Sequence, residues 1–484
     1  MNSRSRILQL IGFSVALVAT PLAAVRYQAA MRDPDVWWHL RVGEWILHGQ
    51  GFPHTAVFSR LAQTNSWAAY SWIFEVIVAQ LYRWFSLTSL PIFLFVFQIA
   101  IGAALLASAV TITNSCWRGG LLTATAIAAC FFTLSPRPVL FTVLFFIVEM
   151  AMIFYDLRNR SIRALNWAPL LFLLWANCHI QFVDGLLIVG LLAASEFAQH
   201  FISQRVIGAA PELPFGRLLA IFAGCIVATL INPYGWHLYQ VIWGYVHTGA
   251  QWNEIVELTA PSFRRLAHFI ELLLALFAAL ALGAGRNRSI FRIALVAVSA
   301  MISFHASRDA WMISVVAVFI CAEQMETNAA SMESQRNSVI VVAISAALAL
   351  ILSVAAQTRV GLSSGALIAE LDRMYPVRAA SFVADRHPLG PLYNSVNWGG
   401  YLIYNLREYP VAADGRTDAY GGDVSQALRV EQGLAGWKQD PTFAASNMIL
   451  IERNLPLARL LAEDPDFRMI YQDHLAMVFV RIRR

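Results

Sequence analysis

Asp33-Pro34-Asp35-Val36-Trp37-Trp38-His39-Leu40 follows the first long apolar run of the chain and sets two carboxylates, an imidazole and two indoles side by side. Proline is accepted at the first turn of a helix and drives the residue before it into extended geometry, so the spacing predicts Asp33 at an N-cap, Asp35 in the first turn and a helix running to about Leu47. On that helix Trp38, Val42 and Trp45 share one stripe, and Asp35 and His39 stand one turn apart on another face. This pattern suits a membrane surface, with indoles at the headgroups and acids toward water. A single acid here would need no more explanation than helix capping and the helix dipole. Two acids and a histidine among tryptophans favour a functional loop.

The rest of the composition agrees with a membrane setting. Of 484 residues, 58% are hydrophobic and 13% charged, with a mean hydropathy of +0.57; an ordinary soluble domain carries roughly twice that charged fraction. The net charge of +5 is spread over short loops instead of being massed on one face, which argues against a nucleic-acid partner. Of the five cysteines, Cys130, Cys178, Cys225 and Cys321 fall in or at the ends of apolar runs and Cys116 falls in a loop. No CxxC spacing occurs, so neither a disulfide frame nor a zinc site is expected. Arg4 and Arg6 before an apolar run ending Pro21-Leu22-Ala23-Ala24 have the form of a signal peptide, but the segments behind it favour an uncleaved anchor.

Apolar runs of spanning or near-spanning length lie at about 7–28, 67–87, 90–111, 119–134, 138–156, 165–178, 181–201, 217–232, 266–283, 289–304, 308–325 and 338–356. They predict a polytopic α-helical membrane protein of about 11–13 transmembrane helices. Arg158, Arg160 and Arg163, the Arg205 and Arg217 pair, and Arg286, Arg288 and Arg292 mark inner loops by the charge bias, with 326–337 a further polar inner loop. Asn177-Cys178-His179, Asn232-Pro233-Tyr234-Gly235 with 236–265, and Ser303 to Asp309 then fall outside. The 29–66 loop joins them if the N-terminus is inside, and so does the C-terminal region. Four crossings between 67 and 156 would place Arg158 outside, so one of those runs is expected to be re-entrant or interfacial.

From about Gly365 charged residues, glycine and proline become frequent and apolar runs shorten to strand length. The patterns predict a helix over 366–386, strands at Leu392–Val396 and Val411–Ala413, a helix over 422–435, a buried strand at Met448–Ile451, a helix over 455–463, and a hairpin pairing Phe467–Gln472 with Ala476–Ile482. The domain boundaries follow: a transmembrane domain at 1–360, with 29–66 as its outer loop, and a small C-terminal α/β extracytoplasmic domain at 365–484.

Charged groups near a bilayer carry weight because each is costly unless partnered or set beside a cavity. Arg137, between Pro136 and Pro138, sits where no regular helix can form, and either holds a phosphate or obeys the cytoplasmic charge bias. His179 with Asn177, and His305 with Arg308 and Asp309, repeat the theme of an imidazole beside polar groups at an outer helix end, and together suggest an anion pocket. Glu75 is either a metal or arginine partner, or a packing carboxylate paired with Arg83 or Arg41. Gly399-Gly400-Tyr401 and Asp414-Gly415-Arg416-Thr417-Asp418 form the strongest pattern of the C-terminal region. They read first as structural turns with Arg416 and Asp418 pairing locally, and second as a surface on which Tyr401 and Arg416 bind an acceptor. No P-loop, GxGxxG, GxSxG or HExxH occurs, which disfavours ATP-driven pumps, nicotinamide enzymes, serine hydrolases and zinc proteases.

The stretches DPDVWWHLRVGEWILHG, FPHTAVFS, SWAAYSWIFEV, LSPRPVLFT, WANCHIQFVDG, NPYG, VNWGGYLIYNL and VAADGRTDAY resemble bacterial integral-membrane proteins of GT-C glycosyltransferase type, distantly similar to the dolichyl-phosphate-mannose protein mannosyltransferases. The resemblance implies a polyprenyl-phosphate-linked sugar as donor and inverting transfer to an envelope acceptor on the outer face of a bacterial inner membrane. It places the base, or a ligand of a divalent metal ion, on Asp33 or Asp35 with His39 and Trp38 nearby, and leaves Glu75 as a third metal ligand if one is needed. Arg137, His179, His305 and Arg308 would meet the donor phosphate by charge. In this branch an acid often follows the loop's Pro-x-Thr, whereas Pro53-His54-Thr55 leads here to Ala56. The better-known relatives carry an Asp-Glu pair where this chain has two aspartates, so the base stays open between them. The alternative to an enzyme is a carrier or flippase for lipid-linked glycans, or an assembly subunit. A carrier calls for ionisable groups at mid-membrane, for which Glu75, Glu149 and Glu196 are candidates.

Overall fold

A computed structural model describes residues 27–130, 134–202, 211–247, 258–285, 289–326, 364–420 and 423–482. The expected spans 7–28 and 338–356 and most of the inner loop 326–337 lie outside these residues. By contacts the chain divides into two compact units.

The first unit draws its described residues from Phe93–Gly235 and Ile255–Val360. Its centre is the Trp311–Gln324 helix, in which every residue from Trp311 to Glu323 is buried. A helix that is apolar all round has no face for water, and this one is enclosed by Cys116–Cys130, Val139–Asn159, Leu266–Ala284 and Ile290–His305. Trp311 meets Phe146 edge to face at 5.2 Å. Gly119 brings its helix against Val110, whose Cγ2 would lie 2.7 Å from an added Cβ. Arg292, expected to mark an inner loop, is instead buried in an ion triad. Its Nε and Nη2 donate to Glu323 at 2.7 and 2.6 Å, and its Nη1 donates to Glu212 at 2.6 Å. Cys116, expected in a loop, opens a helix, and all five cysteines are free and buried.

Four helical stretches among the described residues are long and apolar enough to cross a membrane: Trp72–Thr113, Val139–Asn159, Phe182–His200 and Leu266–Ala284. Leu165–Cys178, Phe215–Thr229 and Ile290–His305 are shorter apolar helices. Two expected runs lie outside the described residues, Trp72–Thr113 takes in two more, and several others fold as helices shorter than the roughly 20 residues that span a bilayer. The expected run at 67–87 becomes helical only from Trp72.

The second unit joins Gln28–Ile92, Trp236–Glu254 and Gly361–Arg484, so the 29–66 segment belongs with the C-terminal residues and not with the first unit. The Asp35–Leu47 helix packs against Trp72–Phe85, and Gly43 permits this because the Glu75 carbonyl oxygen would stand 2.0 Å from an added Cβ. The expected helix over 366–386 is two helices, Ser364–Met374 and Val377–Arg386. Pro376 separates them, since it has no N–H to donate and disfavours helical geometry at Tyr375. The sheet has β1 (Leu392–Asn394), β2 (Met448–Glu452), β3 (Phe467–Gln472) and β4 (Ala476–Arg481) in the order β1-β2-β4-β3. β1 and β2 are parallel, with Leu392 opposite Met448, and the other pairs are antiparallel. Its core gathers Tyr393, Phe443, Ile449, Leu457, Leu461 and Phe479. The expected strand at Val411–Ala413 is a single bridge between Val411 and Ser59. Beside it Arg60 donates to the carbonyls of Leu392 and Thr442 and to the Ser446 hydroxyl, which ties the early loop to the sheet.

Burial pushes the Glu431 carboxyl up to about 7, against the Val396 N–H that it accepts at 2.6 Å. A carboxyl raised in the folded chain contributes stability below its unfolded value that is lost as pH rises through about 7. Thermal unfolding between about pH 5 and pH 8 should therefore show falling stability in the wild type. Glu431→Gln, which still accepts the Val396 N–H, should flatten that fall.

Candidate functional site

The two families of candidate residues fall in different units. In the second unit, Pro34 occupies the N-cap of the Asp35–Leu47 helix. Asp33, expected at that cap, is one residue further out and accepts the Asp35 N–H at 3.0 Å, which still satisfies a helix-start donor. Asp33 is 6% exposed, whereas Asp35 is half-buried and its Oδ1 accepts the Trp38 indole N–H at 3.2 Å.

The helix start is seated on the Gly399–Gly400 and Asp414–Arg416 segments. The Pro34 carbonyl oxygen would lie 2.3 Å from an added Cβ at Gly400, and Asp35 Oδ1 would lie 2.4 Å from one at Gly415. Arg416 does not pair with Asp418 as the sequence suggested. It closes a fork on Asp414, with Nε to Oδ1 at 2.8 Å and Nη2 to Oδ2 at 2.7 Å, while its own N–H also donates to Oδ1. Both side chains have no exposed surface. Tyr420 donates its hydroxyl to the same carboxylate. The guanidinium lies 4.8 Å from the Trp67 ring centre and 5.6 Å from that of Phe58.

Burial alone would raise the Asp414 carboxyl, but Arg416 and Tyr420 outweigh it and hold it below the ordinary aspartate value. Asp418 lacks such a fork, and burial lifts it to about 6 against the pull of Arg416. Tyr420 is raised well above the usual phenol value by burial and by Asp414.

His39, one turn on from Asp35, is held by a buried acid and an indole. Its ring lies on Trp38, with centres 3.5 Å apart, and its Nδ1 meets Glu75 Oε1 at 3.0 Å in a buried pair. Glu75 is thus matched by His39 and not by Arg83 or Arg41. The indoles expected at a headgroup layer are also inside the protein: Trp38 is 7% and Trp37 1% exposed. Trp37 is surrounded by Tyr82, Tyr375, Tyr401 and Tyr404. Tyr401 stacks on Tyr375 at 5.0 Å, and burial raises its phenol. Tyr401 and Arg416 are therefore core residues with no face for an acceptor.

In the first unit Arg137 and Arg308 each come within electrostatic reach of His179. Burial first, then Arg308 and Arg137, push the His179 imidazole down to about 3, so the ring is neutral at ordinary pH. Thr142 Oγ1 accepts the Trp175 indole N–H at 2.9 Å and meets His179 Nδ1 at 2.8 Å. Arg308 is 43% exposed and 3.8 Å from Asp309, whose Oδ1 accepts from Gln181 at 2.8 Å. His305 is exposed on the preceding helix end. Asn177 serves structure, donating to the Leu173 and Ile231 carbonyls.

Among the described residues no group of three or more His, Cys, Asp or Glu side chains is placed to hold a metal ion, and Asp33, Asp35 and Glu75 form no such set. Sequence reasoning passed over Thr142 as the partner of His179 and Asp414 as the counter-ion of Arg416. The second had a signal in the Asp-x-Arg spacing.

The chain is similar in structure to the oligosaccharyltransferase of Archaeoglobus fulgidus in the apo form, with a TM-score of 0.52 and 11% identity over 90% of this chain and 69% of that one. ArnT from Cupriavidus metallidurans bound to undecaprenyl phosphate aligns over 97% of this chain and 98% of its own, with 16% identity and a TM-score of 0.45. No family model and no curated protein matches the chain. At 11% identity the first likeness concerns the fold alone, and that fold is GT-C-like.

Asp414→Asn leaves a buried guanidinium without its counter-charge. Denaturation should show a loss of roughly 3–5 kcal/mol, the usual cost of removing one member of a buried pair.

Proposed function

We propose that this chain is an inverting membrane glycosyltransferase that moves a sugar from a polyprenyl-phosphate donor to a hydroxyl of an envelope glycan, lipid or protein, with Asp35 as general base. The observation that carries the reading is the placement of Asp35. Asp35 is half-buried at a helix start, with its Oδ1 accepting an indole N–H, while the neighbouring Asp33 is almost fully buried and accepts a backbone N–H. The GT-C-like fold, similar to that of an oligosaccharyltransferase, supports glycosyl transfer as the reaction class. The sequence resemblance supplies the donor class and the outer membrane face.

The chemistry needs two kinds of group. The base takes the acceptor's proton as its oxygen attacks the anomeric carbon. The bond from that carbon to the phosphate oxygen breaks, and the electron pair leaves with the polyprenyl phosphate. Within the first unit Arg137 and Arg308, both near the neutral His179, offer the positive charge that a phosphate calls for. No step is assigned to a metal ion, because the carboxylates present do not converge as a ligand set.

A carrier for lipid-linked glycans remains the second reading, favoured by one observation. Glu149 lies in the middle of the Val139–Asn159 helix, fully buried, and neither of its carboxyl oxygens has a hydrogen-bond partner. An ionisable group in such a place points to transport.

Transfer of radiolabelled sugar from polyprenyl-phosphate donors by the protein in lipid separates the two. Asp35→Asn should lower turnover by roughly 10²- to 10⁴-fold with donor KM little changed, while Asp33→Asn retains most of it. Arg308→Ala should raise the donor KM by roughly 10- to 100-fold, the loss of a hydrogen bond to a charged group. Donor binding without turnover, indifferent to both aspartate substitutions, would move the carrier reading to first place.

A further inference from the structure

Gly415 is not a glycine for the sake of its backbone. Its φ lies outside the left-handed region, so any residue would suit the chain path there. What it supplies is space, because an added Cβ would stand 2.4 Å from Asp35 Oδ1. Gly400 repeats the arrangement against the Pro34 carbonyl at 2.3 Å, again without a positive φ. Two glycines from the C-terminal segment thus leave room for the first residues of one helix.

The segment that carries Gly415 is held with unusual firmness. Asp414 and Arg416, on either side of it, are fully buried and locked in a two-point fork. The Arg416 N–H returns to the Asp414 carboxylate, and the Thr417 N–H donates to the Gly415 carbonyl at 2.9 Å. The same guanidinium sits over Trp67, Trp67 meets Trp38 edge to face at 6.0 Å, and the Trp38 indole donates to Asp35 Oδ1. Both of these contacts on the Asp35 carboxylate, the glycine beneath it and the indole beside it, therefore run back to one ion pair. Burying an ion pair gains little stability over apolar residues of the same size. It does fix geometry, because the two parallel bonds of the fork, from Nε and Nη2, form in one arrangement only.

We propose that Asp414-Gly415-Arg416 is a positioning element for the Asp35 carboxylate, with Gly415 setting how close it sits and Arg416 orienting it through Trp67 and Trp38. The proposal rests on Asp35 as the base for its catalytic meaning, but not for its structural content. Residues that act through Asp35 should alter its titration as well as the rate. A displaced carboxylate loses the indole N–H that favours its charged form, so its pKa rises. A misplacement of about 1 Å can cost on the order of 100-fold in turnover.

The test uses the full-length protein in lipid with ¹³C-labelled aspartate, the Asp35 signal being identified as the one lost in Asp35→Asn. In Gly415→Ala, and more weakly in Arg416→Lys, that signal should titrate at higher pH. The acidic limb of the transfer profile should move with it, and kcat should fall roughly 10- to 100-fold at unchanged donor KM. In an Asp35→Asn background Gly415→Ala should cost nothing further. If Gly415→Ala does not fold, Arg416→Lys, which keeps the charge and loses the fork, carries the same readouts. An unshifted Asp35 titration in the variants, or costs that multiply in the double substitution, would overturn the positioning role and leave Asp35 as base. A shifted titration together with full transfer by Asp35→Asn would instead refute Asp35 as base and leave the turn's hold on it intact.

Discussion

Arg416 has no exposed surface, and a guanidinium taken out of water has to be answered where it lies. Asp414 answers it with both oxygens, Tyr420 completes the carboxylate, and the rings of Trp67 and Phe58 flank the cation. Phe58 and Trp67 belong to the early loop, while Asp414, Arg416 and Tyr420 come from the C-terminal segment. The pair can be satisfied only if these stretches, more than 340 positions apart in sequence, are brought together. Arg60 works in the same sense, donating to β1 and to the Thr442–Ser446 stretch from the early loop. Leaving a buried ion without its counter-charge is costly, so these polar contacts favour a second unit built from both ends of the chain.

The first unit meets the opposite requirement. Its central helix, Trp311–Gln324, is apolar on every side and is stable only when enclosed. Charge is admitted where it can be matched: Arg292 between Glu212 and Glu323, and Asp309 with Gln181 and Arg308. His179 follows the same economy in a different form. Burial first, and then the two guanidiniums, keep it neutral, so it adds no positive charge beside them.

The sequence by itself determined the class and most of the elements. The apolar runs between residues 72 and 324 became helices, β2, the hairpin β3–β4 and the Pro456–Glu463 helix formed where the patterns put them, and the helix from Asp35 ended at Leu47. These features depend on periodicity and on proline and glycine chemistry, which act over a few residues. Only the tertiary structure decided which polar groups pair. It gave Glu75 to His39, Arg416 to Asp414 and Arg292 to two glutamates, placed Trp37, Trp38 and Tyr401 in a core, and joined the 29–66 segment to the C-terminal unit. A pairing is settled by the cost of leaving either partner buried alone, and that cost depends on what the rest of the chain places beside it.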